Sequence, residues 1–178
     1  LVGFRAVLNA GASLIEADVQ LTADLVPVLS HDDSLIRTSG HDIHVTSAQY
    51  RDIRELTAGE PGRFGGQFHE QRIVTLADLA GLLSQWPDVR AFIEIKPHSL
   101  SEHDIQRVID VVLETLGPCH SQCILISFEY EALRQVRRCC DLPIAWVLLE
   151  DLLPGAQPGI RGQGIEVRGR SVDISGLA

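Results

Sequence analysis

Apolar and polar positions alternate along this chain with two different periods, and each switch of period marks the passage from a helix to a strand or back. Phe4, Val7 and Leu8 share a helical face that ends at Asn9-Ala10-Gly11, where a glycine suits a helix C-cap. Leu14 to Leu21 then alternates as a strand, followed after a turn by a shorter one from Val26. Ser34 to Gly40 reads as a loop, Ser47 to Leu56 as a modest helix, and Thr57 to Arg72, with Gly59, Pro61, Gly62, Gly65 and Gly66, as a long connection. Thr75-Leu76-Ala77-Asp78 has the form of a capping box ahead of Leu79, Ala80 and Leu83 at helical spacing. A strand is expected over Ala91 to Lys96. A stronger helix follows, capped within Ser101 to Asp104 and burying Ile105, Val108, Ile109, Val112, Leu113 and Leu116. Cys123 to Phe128 is a strand, Tyr130 to Cys140 a helix and Ile144 to Leu149 another strand. Strands alternating with helices in this way imply an α/β fold with parallel pairing through right-handed crossovers. The periodicity extends to about Leu153. The sequence is therefore divided into a patterned domain over residues 1–153 and an irregular, glycine-rich tail over 154–178, in which Gly164 to Val172 can form a short alternating strand.

The chemistry gathers at the ends of two of these strands. Along Leu14 to Leu21, Glu16 and Asp18 fall on one face while Ile15, Ala17, Val19 and Leu21 cover the other, so an element with an apolar back presents two carboxylates as a pair. Such a pair repels itself and calls for a compensating cation. Oxygen ligands suit a hard divalent ion, Mg²⁺ or Ca²⁺, although a solvated strand end that merely carries acids fits the same two residues. Along Ala91 to Lys96, Phe92, Glu94 and Lys96 share a face. In one parallel sheet, Glu16, Asp18, Glu94, Lys96 and the His31 of Ser30-His31-Asp32-Asp33 would converge at the carboxyl edge, where function in α/β folds sits.

Composition narrows the possibilities. The chain has 178 residues, 45% of them hydrophobic, and a net charge of −9, which provides ample core for a globular domain. No cluster of Lys and Arg offers the surface that nucleic acid requires, so no nucleic-acid partner is expected. No apolar run reaches the ~20 residues of a transmembrane helix, and the first residues lack a signal-peptide pattern. Cys119, Cys123, Cys139 and Cys140 have no zinc-ligand spacing and read as thiols of a reducing setting, which places the protein in the cytoplasm. The oligomeric state is not legible.

Five segments in order resemble the glycerophosphodiester phosphodiesterase family. Gly11-Ala12-Ser13-Leu14-Ile15-Glu16-Ala17-Asp18-Val19-Gln20-Leu21-Thr22 is similar to its G-A-D-x-I-E-x-D-V-x-L-T segment, and Pro27 to Thr38 to its P-V-x-x-H-D-x-x-L-x-R-T. Arg72-Ile73-Val74-Thr75-Leu76 resembles R-I-P-T-L, Phe92-Ile93-Glu94-Ile95-Lys96 the I-E-I-K strand, and Ile126-Ser127-Phe128 a later S-F strand end. The resemblance implies a (β/α)₈ TIM barrel and hydrolysis of small glycerophosphodiesters, such as glycerophosphocholine, to sn-glycerol 3-phosphate and an alcohol in phospholipid and glycerol metabolism. It further implies that Glu16, Asp18 and Glu94 hold one divalent cation, that His31 is one of two catalytic histidines, and that Lys96 helps bind phosphate. An imidazole suits proton transfer near neutral pH. Whether a glycerol hydroxyl or water attacks stays open.

The family pattern also begins with a His-Arg-Gly strand and a P-E-N-T turn, while this chain begins without Met at Leu1-Val2-Gly3-Phe4-Arg5, inside the helix that follows. Since a (β/α)₈ barrel takes ~250 residues, the expectation is an incomplete barrel without the first strand and the last strands. The alternatives are a relic that binds metal and phosphodiester without turnover, and another metal-dependent barrel hydrolase, against which the I-E-I-K strand speaks. Arg37 can tie down the His31 loop through Asp32 or reach phosphate, and Phe128 can line the pocket or close the core. His98 can reach substrate or stay in a solvated loop. His41 and His44 form an H-x-x-H in a loop with no helix to align them, and His69, His103 and His120 read as surface or cap residues.

Overall fold

The computed structural model describes residues 1–148 and, as backbone, two further strands, Ile165–Val167 and Arg170–Val172. The remainder of the tail expected over 154–178 lies outside the described residues. Helix α1 (Val2–Asn9) leads through Gly11, whose φ of +96° only glycine adopts freely, into strand β1 (Leu14–Leu21). Strand β2 (Pro27–Leu29) turns back antiparallel beside it. The other parallel strands are β3 (Arg90–Ile95), β4 (Cys123–Ser127) and β5 (Ile144–Val147), and β6 (Ile165–Val167) and β7 (Arg170–Val172) add antiparallel to β5. The sheet order is β2-β1-β3-β4-β5-β6-β7, with β1, β3, β4 and β5 mutually parallel.

Helices α5 (Leu76–Leu83), α7 (Ile105–Leu116) and α8 (Tyr130–Cys139) connect these strands and cover one face of the sheet. Their apolar sides meet Ile15, Ala17, Val19, Ala91, Ile93, Ile95 and Leu125 in the main core. Val108, Ile109, Val112 and Leu116 of α7 are fully buried there, and each such side chain contributes roughly 1.5–3 kcal/mol through burial. The opposite face carries a smaller apolar cluster of Ile126, Ala145 and Val147 packed with Phe92, Ile124 and Phe128. Strands with helices layered on one face and a second packed face inside are the architecture of a (β/α)₈ barrel, and the described residues form an open sector of one.

The segment between β2 and α5 builds its own small core from Val28, Leu35, Val45, Ile53 and Ile73. It departs from the sequence expectation in detail. The loop expected over Ser34 to Gly40 contains a one-turn helix, α2 (Ile36–Ser39), closed by Gly40 at φ +80°. The helix expected over Ser47 to Leu56 shrinks to a 3₁₀ turn (Val45–Ser47) and α3 (Tyr50–Ile53), and a further turn, α4 (Pro61–Phe64), starts on a proline within the long connection. Pro97, read as the start of a loop, opens helix α6 (Pro97–Glu102) at a first-turn position where its missing N–H costs nothing. Ser99 on this helix accepts the Leu21 N–H at 2.8 Å and fixes α6 against the end of β1.

Candidate metal and phosphodiester site

Register decides where the acids go. In the parallel pairing of β1 with β3, Asp18 lies opposite Glu94 and Glu16 opposite Phe92, so alternation puts all three carboxylates on the inner face near the carboxyl edge. One oxygen from each of Glu16, Asp18 and Glu94 lies within 4.8 Å of the others. Lys96, just past the end of β3, extends the pairing through its N–H to the Val19 carbonyl and places Nζ 3.2 Å from Asp18 Oδ1 and 2.9 Å from Glu94 Oε1. The sequence expectation brought these four residues to one edge with His31; the four converge, and His31 lines the cleft that Lys96 also lines.

Charge is unbalanced at this cluster. Three carboxylates face one ammonium, and burial, followed by the neighbouring charges of Asp18 and Glu94, pushes the Glu16 carboxyl up to about 7, with Lys96 and His31 pulling the other way. Glu94 Oε1 is buried and has the Lys96 ammonium 2.9 Å away as its one charged partner among the described residues. Burial works against the Lys96 charge, but Glu94 and Asp18 outweigh it and hold the ammonium above its usual range. A cluster of hard oxygen donors within 4.8 Å of one another, with more negative charge than Lys96 balances, fits a divalent cation, and Glu16, Asp18 and Glu94 are the residues that would hold it.

Beside the acids opens a cleft of about 750 Å³ whose walls include His31, His44, Lys96, His98, Phe128 and Glu129. His31 follows β2, and its strand end is held by the Ser30 N–H bonded to the Asp18 carbonyl and by Gln20, fully buried, whose Nε2 donates to the Ser30 and His31 carbonyls at 3.3 Å each. His31 Nδ1 meets Asp32 Oδ1 at 2.7 Å, and Arg37 Nε donates to Asp32 Oδ2 at 2.6 Å while its Nη1 reaches Glu60 Oε1. Arg37 first, then His31, hold the Asp32 carboxyl below the usual range. Arg37 thus ties down the loop, one of the two roles the sequence left open. These pairs are largely exposed, so they orient His31 more than they stabilise the fold. With Nδ1 engaged, Nε2 is the ring nitrogen without a hydrogen-bond partner among the described residues.

Phe128 combines both roles foreseen for it, packing against the Ile126 cluster and lining the cleft, while its carbonyl accepts the Trp146 indole N–H at 3.0 Å. His98 lies on α6 and lines the cleft. His41 turns instead to the Ser39 carbonyl and His69 to Glu70. Sequence reading missed Gln20 and Glu60, and it saw His44 only as half of a loop H-x-x-H. The polar character of Gln20 on the acid-bearing face of β1 was its only signal. Glu60 acts through Arg37, distant in sequence, and gave none, while the H-x-x-H signal of His44 did not show its partner Asp33.

The comparisons agree with this geometry. The profile of the glycerophosphoryl diester phosphodiesterase family matches residues 1–150. A glycerophosphodiester phosphodiesterase of Caldanaerobacter subterraneus is 30% identical over 138 residues, covering 78% of this chain and 55% of that protein. Human glycerophosphodiester phosphodiesterase 1 is 24% identical over 139 residues, covering 78% and 40%. The crystal structure of a Silicibacter pomeroyi protein described as a glycerophosphoryl diester phosphodiesterase superposes with a TM-score of 0.70 at 26% identity, over 82% of this chain and 58% of that one. An Oleispira antarctica phosphodiesterase in complex with the product sn-glycerol-3-phosphate gives the same score at 24% identity, over 82% and 58%. The chain spans about half the length of the relatives it matches. Acids and lysine at the carboxyl edge of parallel strands, and a profile that covers residues 1–150, lead to one conclusion: this chain belongs to the glycerophosphoryl diester phosphodiesterase family.

Proposed function

We propose that the protein hydrolyses small glycerophosphodiesters, such as glycerophosphocholine, to sn-glycerol 3-phosphate and an alcohol, using one divalent cation, Mg²⁺ or Ca²⁺. The observation that carries this reading is the convergence of Glu16, Asp18 and Glu94 within 4.8 Å, bridged in part by Lys96, beside a cleft walled by His31. When bound, the cation supplies Lewis acidity at a phosphoryl oxygen. Lys96 brings a fixed positive charge to the phosphate side of the cleft, held in place by the two acids it touches. His31, oriented by Asp32, exchanges a proton at Nε2 with an oxygen of the reacting diester. In the net reaction phosphorus gains an oxygen from water, the P–O bond to the alcohol breaks, and the alcohol oxygen ends with the proton. Phe128 and the apolar floor beneath it keep water from that side of the substrate.

The test is turnover of glycerophosphocholine by the full-length protein. His31→Ala lowers kcat by at least about a hundredfold, the span of a general acid or base, with metal binding intact. Metal binding with no turnover in the unmutated protein is the result that replaces this reading with that of a binding relic.

A further inference from the structure

The H-x-x-H of the 30–50 segment, which the mechanism leaves unused, contains the second histidine of the cleft wall. His44 Nδ1 lies 2.6 Å from Asp33 Oδ2. Asp33 is itself anchored, its Oδ1 accepting both the N–H and the hydroxyl of Thr46 at 3.0 Å. Burial works against the Asp33 charge, yet Thr46 and His44 hold its carboxyl below the ordinary range. The backbone around the pair is equally fixed: His44 bridges Ser34 in antiparallel fashion, Val45 N–H reaches the Asp33 carbonyl at 2.9 Å, and Leu35 N–H reaches the Ile43 carbonyl at 2.8 Å. Adjacent aspartates therefore hold two histidines by the same nitrogen, Asp32 holding His31 at 2.7 Å and Asp33 holding His44 at 2.6 Å, and both imidazoles line the one cleft with Lys96.

The consequence lies on the other edge of the ring. A nitrogen set against a carboxylate carries the proton, so in the neutral tautomer that this contact selects Nε2 is the acceptor. Among the described residues Nε2 has no hydrogen-bond partner, and the side chain is 56% exposed while its Asp33 support is only 11% exposed. An aligned acceptor on a rigid, mostly buried anchor is how a protein prepares a polar contact before the ligand arrives.

We infer that His44 is a further substrate-contacting residue, accepting at Nε2 a hydrogen bond from a hydroxyl in the non-phosphate part of the diester. The inference rests on the phosphodiesterase reading above. Lys96 and the carboxylate cluster serve the phosphate, and His44 reads the hydroxylated group attached to it.

The experiment separates the two ring nitrogens. Asn places its amide near the Nδ1 position and preserves the Asp33 contact, whereas Gln extends its amide to the Nε2 position. In the full-length protein, His44→Asn raises KM for glycerophosphocholine by about fivefold or more, the loss of one hydrogen bond, with kcat changed far less and thermal unfolding unchanged. His44→Gln recovers most of that KM. Inhibition by inorganic phosphate, which reports the Lys96 side of the cleft, stays at the unmutated level in both. Full activity in His44→Asn shows that the Asp33 clamp is all His44 supplies and overturns the inference, as does a rise of KM and of the phosphate inhibition constant in equal proportion. Unmutated protein that turns over no glycerophosphodiester with Mg²⁺ or Ca²⁺ overturns the phosphodiesterase reading itself, an outcome distinct from an active enzyme indifferent to His44.

Discussion

Glu16 is the residue whose ionisation reports the site. Its carboxyl sits near 7 without a cation because burial and two acidic neighbours penalise its charge. The raised value means that the native state holds this proton where the unfolded chain has released it, so the contribution to stability is fully present below the ordinary Glu range and is lost as pH rises through about 7. A cation needs the ionised form and displaces the proton. Binding below about 7 therefore releases a proton, and affinity weakens as pH falls. Calorimetric titration with Mg²⁺ or Ca²⁺ in buffers of different ionisation enthalpy should show more proton release at about pH 6 than at about pH 8, and Glu16→Gln should abolish the difference. The pairing of Glu16 with Asp18 was legible in the sequence because strand alternation alone puts them on one face. The third acid could be inferred from the similar pattern around Glu94. Glu60 was not legible, and of His44 only the H-x-x-H was, since nothing local shows that a loop glutamate will meet Arg37 or that a loop histidine will meet Asp33.

At the level of elements, the long regular pieces followed from periodicity and the short ones did not. Thr75 accepts the Asp78 N–H at 3.1 Å while Asp78 accepts the Thr75 N–H at 2.9 Å, the reciprocal cap its sequence announced. Thr75→Ala should cost about 1 kcal/mol in chemical denaturation, with the slope of the transition unchanged. Helices α2, α3 and α4 have four residues each, too few for a hydrophobic period; α2 and α3 sit on the small core around Leu35, Val45 and Ile53, while α4 starts on Pro61 with none of its residues buried. Gly59 is the tight point of that segment, where an added Cβ would overlap the Phe68 carbonyl. The next residue, Glu60, stands at φ +48° and holds Arg37. Gly59→Ala should therefore displace Glu60, loosen the Arg37–Asp32–His31 chain and lower kcat more than metal affinity; equal losses in both would place the damage in the sheet instead.

The whole molecule joins two kinds of scaffold at one edge. The sheet supplies carboxylates whose mutual positions are fixed by strand register, and the 26–74 segment supplies histidines whose rings are fixed by neighbouring aspartates. Among the described residues no helix is long and apolar enough to cross a membrane. The α/β class was visible in the alternation of strands and helices, and the barrel was implied by the family resemblance that the motif order carries. The position of β2 on the outer edge of β1 depends on backbone pairing that no motif encodes. The central claim is that the three acids hold the cation on which diester hydrolysis depends, and glycerophosphocholine turnover by the full-length protein tests it most directly. The account predicts that a chelator stops turnover, that Mg²⁺ or Ca²⁺ restores it, and that the paired substitutions Glu16→Gln and Asp18→Asn remove it without unfolding the protein. Turnover that persists in the chelated protein or in the doubly substituted one contradicts the account.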